Sequence, residues 1–339
     1  MRRLITSLFA ALLYAGVPLS ARAADPPVNA PVTTPPVTAP DEEVTIDGGR
    51  APLHGSWRAP QHWRDGKVVL MLAGSGPTDR DGNSTIPGVH PNTYKMIAEA
   101  LAANGIASLR VDKRGIGASA GAMTAEADLR FDTYVDDAVS WANFAWGRHG
   151  VRCVYILGHS EGAEVAALAA AHVRTCGVIS VSGAGRDIGE TIIRQVTAQG
   201  APPEMVAQFQ HNLDELRAGR TIAGVPPTMM ALFRPSVQPY MISWLAKNPV
   251  TALGAVHAPV LILQGSTDIQ VSVDDANLLA AGHPGAQLVI LDGVNHVLKP
   301  APADRAQNAA TYADPNLPLA PSVMPPILAF IAAHHTPVQ

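Results

Sequence analysis

From residue 42 onward, short apolar runs alternate with segments of helical periodicity, and this alternation limits the possible folds more than any other feature. The principal apolar runs lie at residues 67–74, 106–111, 151–157, 178–181, 259–264 and 287–291. An alternation of strands and helices requires crossover connections, which produce parallel strands with helices on both faces of the sheet. The sequence therefore predicts an α/β fold built on a mostly parallel sheet.

The alternation is interrupted at about residues 186–250. This segment reads as several short helices separated by Pro and Gly, and it contains four of the nine methionines: Met205, Met229, Met230 and Met241. We interpret it as an insertion that caps one end of the sheet. Methionine side chains are flexible and apolar, so the composition favours an adaptable apolar pocket beneath the cap.

A five-residue motif, GHSEG at residues 158–162, follows one of the apolar runs and opens an Ala-rich helical segment. In this context the G-x-S-x-G pattern indicates a nucleophile elbow, in which the serine lies on a sharp turn between a strand and a helix. Side chains two residues before and after the serine would collide in such a turn, which accounts for glycine at both positions. The sequence therefore predicts Ser160 as a nucleophile beside a helix N-terminus that favours negative charge.

A serine nucleophile needs a base, because a neutral hydroxyl reacts poorly. His296 follows the last apolar run across a short turn, and Asp268 follows the run at 259–264. The order Ser, Asp, His along the chain is the order expected for an elbow serine on a parallel sheet. We therefore expect His296 to act as the base and Asp268 to orient it, with Asp292 as the alternative acid.

A Gly-rich turn with the sequence GSGPTDRDG, residues 74–82, follows the apolar run at 67–74. Glycine lets the backbone approach a substrate closely. We expect the backbone N–H of Ser75, or of Gly76, to pair with the N–H of Glu161 as an oxyanion hole. The charged part of the turn, residues 78–81, is interpreted as an ion-pair turn with a structural role.

Five segments together resemble those of bacterial α/β-hydrolases of the esterase and serine-aminopeptidase-like group: GSGPTDRDG, DKRGIGAS, GHSEG, GSTDIQV and GVNHVLK. The resemblance covers nearly the whole chain after residue 42. It implies the α/β-hydrolase sheet, the helical cap and hydrolysis of carboxylic esters. By similarity, the triad is Ser160, Asp268 and His296, with Ser75 and Glu161 at the oxyanion hole.

The expected reaction is acyl transfer to water through an acyl-enzyme, and it requires no metal or organic cofactor. An exopeptidase of the same fold is an alternative. It would need an acid that holds a substrate amine, and the cap offers Glu190, Glu204 and Glu215 without singling one out. A non-catalytic binding protein on the same scaffold is a further alternative, which the complete triad disfavours.

The formal net charge of −4, with no cluster of Lys or Arg, argues against a nucleic-acid partner. The resemblance implies a small-molecule ester as the partner, and the sequence does not indicate the oligomeric state.

The first 23 residues have the pattern of a signal peptide. Arg2 and Arg3 precede a mostly apolar run at 4–19, and Ala21 and Ala23 provide the small residues of a cleavage site. A membrane anchor is the alternative, but the run is shorter than the roughly 20 apolar residues that span a bilayer, so we expect no stable span after cleavage. The sequence predicts export to the periplasm or beyond the cell, with a Pro/Thr-rich linker at 24–41 and the hydrolase domain at 42–339.

The chain contains two cysteines, Cys153 and Cys176. Each stands at the start of a predicted strand, and the two strands are expected to be neighbours. An oxidising compartment permits a disulfide between them, and two buried thiols are the alternative.

Overall fold

A computed structural model describes residues 40–61, 63–123 and 125–338 of the chain. The predicted signal peptide, residues 1–23, and all but the last two residues of the predicted linker lie outside the described residues. None of the helices that the structure does describe has both the length and the apolarity needed to cross a membrane.

The described residues form one eight-stranded sheet with the order β1-β2-β4-β3-β5-β6-β7-β8. The strands are β1 Glu42–Ile46, β2 Leu53–Arg58, β3 Lys67–Leu72, β4 Ala107–Val111, β5 Cys153–His159, β6 Gly177–Val181, β7 Val260–Gly265 and β8 Gln287–Leu291. From β4 to β8 every neighbouring pair is parallel, whereas β1 and β2 add an antiparallel edge. The predicted α/β fold with a mostly parallel sheet is confirmed.

Helices connect the strands, and their positions agree with the helical periodicity of the sequence. They are α1 Thr93–Ala103, α2 Phe131–Gly147, α3 Glu161–Ala170, α4 Ile188–Ala198, α5 Pro203–Arg217, α6 Met230–Phe233, α7 Gln238–Leu245, α8 Pro249–Gly254, α9 Val273–Gly282, α10 Arg305–Ala310 and α11 Met324–Ala333. The short helix α10 was not predicted, because its sequence, RAQNAA, carries no apolar periodicity.

Helices cover both faces of the sheet, as the unbroken apolar run in β3 predicts. Val68 and Leu70 lie in a core formed with α2, α3, α8 and α9, whereas Val69 and Met71 lie in a second core with α1 and α11. All four side chains are almost fully buried. Each such side chain contributes about 1.5–3 kcal/mol by leaving water, so the sheet is stabilised from both sides.

Residues 182–259, all of them described, connect β6 to β7 and contain the five helices α4 to α8. The predicted insertion at 186–250 falls on this segment. Helix α7 packs against α2, where the rings of Phe131 and Trp244 stack at 5.2 Å. Helix α8 packs instead against α3 and α9, so the last part of the segment belongs to the layer beside the sheet.

A disulfide joins Cys153, the first residue of β5, to Cys176, which directly precedes β6. The two strands are parallel neighbours, and the Cα atoms of the cysteines lie 5.7 Å apart. The bridge therefore ties the starts of two central strands together, at the edge of the sheet opposite to their carboxyl ends.

Candidate active site

Ser160 lies on the sharp turn between β5 and α3. Its backbone has φ 55° and ψ −121°, a conformation that is unusual for a residue with a side chain. The turn is fixed by two backbone hydrogen bonds, from Ser160 N to the oxygen of Val181 at 2.9 Å and from Ala163 N to the oxygen of Ser160 at 2.9 Å. Strained backbone of this kind persists only where the surrounding structure holds it, and it is typical of functional sites.

The two glycines of the motif are required by close packing at this turn. A Cβ atom at Gly158 would lie 1.9 Å from the carbonyl oxygen of Gly162, and one at Gly162 would lie 2.4 Å from the oxygen of Leu72. Either side chain would push α3 away from the sheet. Gly74 is crowded in a similar way, because a Cβ atom there would lie 3.1 Å from the Cβ of Ser160.

Asp268 and His296 form a hydrogen-bonded pair. Nδ1 of His296 lies 2.8 Å from Oδ2 of Asp268, and the side chains are 5% and 0% exposed. The other carboxylate oxygen accepts the backbone N–H groups of Gln270, at 2.8 Å, and Val271, at 3.0 Å. Burial alone would raise the pKa of Asp268, but His296 and these N–H groups outweigh burial and lower the pKa, so the carboxylate stays ionised.

Ser160 and His296 line one cleft of about 580 Å³. Ser160 follows β5 and His296 follows β8, so both stand at the carboxyl edge of the sheet, where ligands bind in open α/β folds. Among the described residues, no hydrogen bond joins the Ser160 hydroxyl to His296. The predicted acid and base are therefore joined by a hydrogen bond, whereas the predicted base and nucleophile share the lining of one cleft. The alternative acid, Asp292, accepts a hydrogen bond from Ser266 at 3.1 Å instead.

His159 and Tyr94 form a chain of hydrogen bonds that ends on the backbone of His296. Nε2 of His159 lies 2.8 Å from the carbonyl oxygen of His296, and Nδ1 lies 2.8 Å from the hydroxyl of Tyr94. Burial and the neighbouring His296 lower the pKa of His159 to about 3, so the ring is neutral. Because a carbonyl oxygen only accepts, Nε2 of His159 carries the proton and Nδ1 accepts a hydrogen bond from the Tyr94 hydroxyl. The oxygen of this hydroxyl accepts the backbone N–H of Gly74 at 3.1 Å.

Ser75, Ser160 and Glu161 line a second pocket of about 360 Å³, on the side of the helices α4 and α7. Glu161 is the first residue of α3, so its backbone N–H has no acceptor within the helix. This N–H lies at the N-terminal, positive end of the helix dipole. The two residues predicted for an oxyanion hole thus stand beside the predicted nucleophile. In the described part of the chain, no group of three or more His, Cys, Asp or Glu residues is placed to hold a metal ion.

Comparison with known proteins gives a consistent result. Residues 88–213 match the family described as Hydrolase_4, serine aminopeptidase S33. Among solved structures, the α/β-hydrolase GrgF of Penicillium sp. sh18 superimposes with a TM-score of 0.55 at 21% identity, over 88% of this chain and 99% of GrgF. Est1E of Butyrivibrio proteoclasticus gives 0.54 at 17% identity, over 86% and 99%. This chain has the α/β-hydrolase fold.

One curated relative of this chain is Esterase EstD of Thermotoga maritima. The two sequences are 24% identical over 265 residues, which is 76% of this chain. The aligned region spans 60% of the length of EstD, so the relative has a substantial part that this alignment does not cover.

Lys113, which the sequence did not single out, bridges the turn before Ser75 and the side chain of Glu161. Its Nζ donates to the carbonyl oxygen of Gly74 at 2.5 Å and lies 3.4 Å from Oε1 of Glu161. The Gly74 carbonyl and the Ser75 N–H belong to one trans peptide and point in opposite directions. Lys113 therefore fixes the direction of the Ser75 N–H. Burial lowers the pKa of Lys113, and the carboxylate of Glu161 opposes that shift.

The loop that carries Ser75 is held by the ion pairs that its charged residues predict. Arg80 donates its backbone N–H and its Nε to Asp112, at 2.8 and 3.1 Å, and its guanidinium also reaches Glu43 at 2.7 Å. Arg114 similarly ties the next loop to Asp137 at 2.6 Å. These contacts hold in place the two loops that carry Ser75 and Lys113.

Proposed function

We propose that this protein hydrolyses carboxylic esters through an acyl-enzyme formed on Ser160. The observation that carries the proposal is that one cleft is lined by a strained elbow serine and by His296, whose ring is hydrogen-bonded to the buried Asp268. His296 takes the proton of the Ser160 hydroxyl while the serine oxygen attacks the ester carbonyl. The same imidazole then protonates the leaving alcohol, and water repeats the sequence to release the acid.

The negative charge that develops on the carbonyl oxygen would be stabilised by the backbone N–H groups of Ser75 and Glu161. Donors of this kind cost no reorganisation during the reaction, and removal of one typically reduces turnover by about 10²–10³-fold. Asp268 holds the imidazole with Nδ1 protonated, which leaves Nε2 free to exchange a proton with Ser160.

The named relatives support an ester as the substrate. EstD is described as an esterase, and Est1E has been solved with ferulic acid bound. For this chain the nature of the acyl and alcohol parts is a matter for experiment, and the relatives supply only the reaction class.

An exopeptidase activity is the second candidate, because the matching family is described as serine aminopeptidase. The three cap acids considered from sequence do not support it: Glu190 and Glu204 are exposed, and Glu215 is paired with Arg220 at 2.7 Å. Another carboxylate, Glu164, does line a pocket with Ser160 and is considered below.

The decisive experiment compares p-nitrophenyl esters of increasing acyl length with aminoacyl p-nitroanilides, on wild type and on Ser160→Ala. We expect ester hydrolysis that Ser160→Ala abolishes, and covalent labelling of wild type alone by a fluorophosphonate. Equal ester rates for the two proteins would refute the proposal. Hydrolysis of the anilides at rates comparable with the esters would favour the peptidase.

We further propose that the protein is exported and processed after Ala23. The support is the signal-peptide pattern of the first residues together with the disulfide between Cys153 and Cys176, since disulfides persist mainly outside the reducing cytoplasm. N-terminal sequencing of the protein from the periplasm or the medium should begin at Ala24. Recovery of the full-length chain in the cytoplasm with two free thiols would contradict export.

A further inference from the structure

The pocket on the side of α4 and α7, called the cap-side pocket here, is bounded by two kinds of residue. Ser75, Ser160 and Glu161 form its inner wall, where the reaction is proposed to occur. Glu164 from α3 and Trp244 from α7 lie on its walls, together with residues of α4. His296 does not border this pocket but borders the larger cleft on the other side of Ser160.

This arrangement suggests which part of an ester, the alcohol or the acyl part, enters the larger cleft and which enters the cap-side pocket. The imidazole of His296 must reach the oxygen of the leaving alcohol in order to protonate it, so the alcohol belongs in the cleft that His296 borders. The acyl part then extends into the cap-side pocket, next to the oxyanion hole. Glu164, one helical turn after Ser160 on α3, thereby faces the acyl part.

One carboxylate oxygen of Glu164 has a partner and the other has none. Oε2 accepts the indole N–H of Trp244 at 2.8 Å. Oε1 is buried and has no hydrogen-bond partner among the described residues. A buried acceptor without a donor is costly, and a residue whose only task was to hold Trp244 would need a single acceptor oxygen. Oε1 is thus an unused acceptor on a residue that lines the cap-side pocket.

No cation of the described chain neutralises this carboxyl. The nearest basic group that acts on it, Lys247, lies 2.6 Å from Asp132, and Lys113 contacts Glu161. Burial raises the pKa of Glu164 to about 7, and the neighbouring carboxylates of Glu161 and Asp187 act in the same direction. A hydrogen-bond donor brought by a substrate would compensate both the lost hydration and the negative surroundings.

We propose that Glu164 is a specificity-determining residue that accepts a hydrogen bond from a hydroxyl or ammonium group on the acyl part of the substrate. The proposal rests on the ester hydrolysis proposed above and names its substrate class: hydroxyacyl or aminoacyl esters in preference to simple alkanoyl esters. The exopeptidase alternative would use the same contact, because an aminoacyl group carries the donor.

The test uses esters that share a carbon skeleton and differ in one group. Ethyl propionate, ethyl lactate and ethyl alaninate carry hydrogen, hydroxyl and amine at the second carbon, and ethyl butyrate, ethyl 3-hydroxybutyrate and ethyl 3-aminobutyrate do so at the third. Hydrolysis is followed by pH-stat at pH 8, where Glu164 is ionised. We expect kcat/KM of the preferred donor ester to exceed that of its parent by about tenfold to hundredfold, as for a hydrogen bond to a charged group.

Two substitutions distinguish the two donors. Glu164→Gln keeps one acceptor oxygen for Trp244 and places an amide NH2 where Oε1 stood. That group can donate to a substrate hydroxyl but not accept from an ammonium, so the variant should lose a preference for the amine and keep much of one for the hydroxyl. Glu164→Leu should abolish both. Glu190→Gln, an exposed carboxylate on α4 outside the pocket, is the matched control and should leave every ratio unchanged.

The inference is overturned if wild type hydrolyses the parent esters at least as well as the donor esters, or if Glu164→Leu retains the wild-type preference. Retained hydrolysis of the parent esters by both Glu164 variants shows that they are folded. If wild type hydrolyses none of the six esters, the proposed function itself has failed, and that outcome is distinct from a loss of preference.

Discussion

Lys113 offers the sharpest test of the proposed oxyanion hole. Lys113→Met keeps an unbranched apolar stem and removes the ammonium that donates to the Gly74 carbonyl at 2.5 Å. Complete loss of one oxyanion donor lowers turnover about 10²–10³-fold, and the N–H of Gly74 remains fixed by Tyr94 at 3.1 Å. We therefore expect part of that loss, about tenfold to hundredfold in kcat, with KM unchanged, because the contact acts on the transition state alone.

The assay measures kcat and KM on one p-nitrophenyl ester, together with inhibition by a trifluoromethyl ketone that forms a tetrahedral oxyanion on the serine. Affinity for the ketone should fall by the same factor as kcat, whereas affinity for a planar product-like acid should not. A rise in KM with unchanged kcat would refute the positioning role of Lys113.

Stability must be separated from positioning, because Lys113→Met leaves the carboxylate of Glu161 unpaired with its side chain only 3% exposed. Breaking a buried ion pair from one side costs about 3–5 kcal/mol. Glu161→Gln on the Lys113→Met background removes that charge and keeps the backbone N–H. We expect this double variant to regain unfolding free energy but not kcat. Recovery of both would show that Lys113 is merely structural.

Three further results are expected. Asp268→Asn should lower kcat by about 10⁴-fold, because the imidazole loses the partner that fixes its tautomer, while the melting temperature changes little; near-normal turnover would exclude Asp268 as the acid. Because the pKa of Glu164 is raised from 4.5 to about 7 in the folded state, folding binds a proton between these values, so unfolding free energy should fall by up to about 3 kcal/mol as pH rises from 4.5 to 7. Glu164→Gln should remove this part of the decline, and an identical pH profile for the variant would contradict it. Reduction of the disulfide, which closes a loop of 23 residues, should lower stability by about 3 kcal/mol on the loop-entropy estimate, and an unchanged melting temperature in reductant would contradict that expectation.

Sequence periodicity predicted the sheet and nearly all of its helices because buried strands and amphipathic helices leave direct marks on the order of apolar residues. The elbow was also predictable, since its two glycines reflect a collision that any side chain at Gly158 or Gly162 would cause. The prediction that Ser160 is a nucleophile followed from that local geometry.

Contacts between segments distant in sequence do not appear in the periodicity of apolar residues. Tyr94 was not singled out from the sequence, yet its hydroxyl contacts His159, 65 residues away. Glu164 follows Ser160 by four residues, but its burial depends on Trp244, 80 residues further on. Such partnerships depend on how the helices of residues 182–259 lie over the sheet, and the periodicity of one segment does not encode the position of another.

The crowding around the elbow glycines has a consequence for how the substrate range of such a protein can change. Because α3 has no room to shift against β3 and β5, the reacting oxygen of Ser160 is a fixed point of the scaffold. Walls of the cap-side pocket come from α4 and α7, which belong to the segment that connects β6 to β7. Exchange of that segment would therefore change the walls of the cap-side pocket, and with them the proposed acyl specificity, while Ser160 keeps its position.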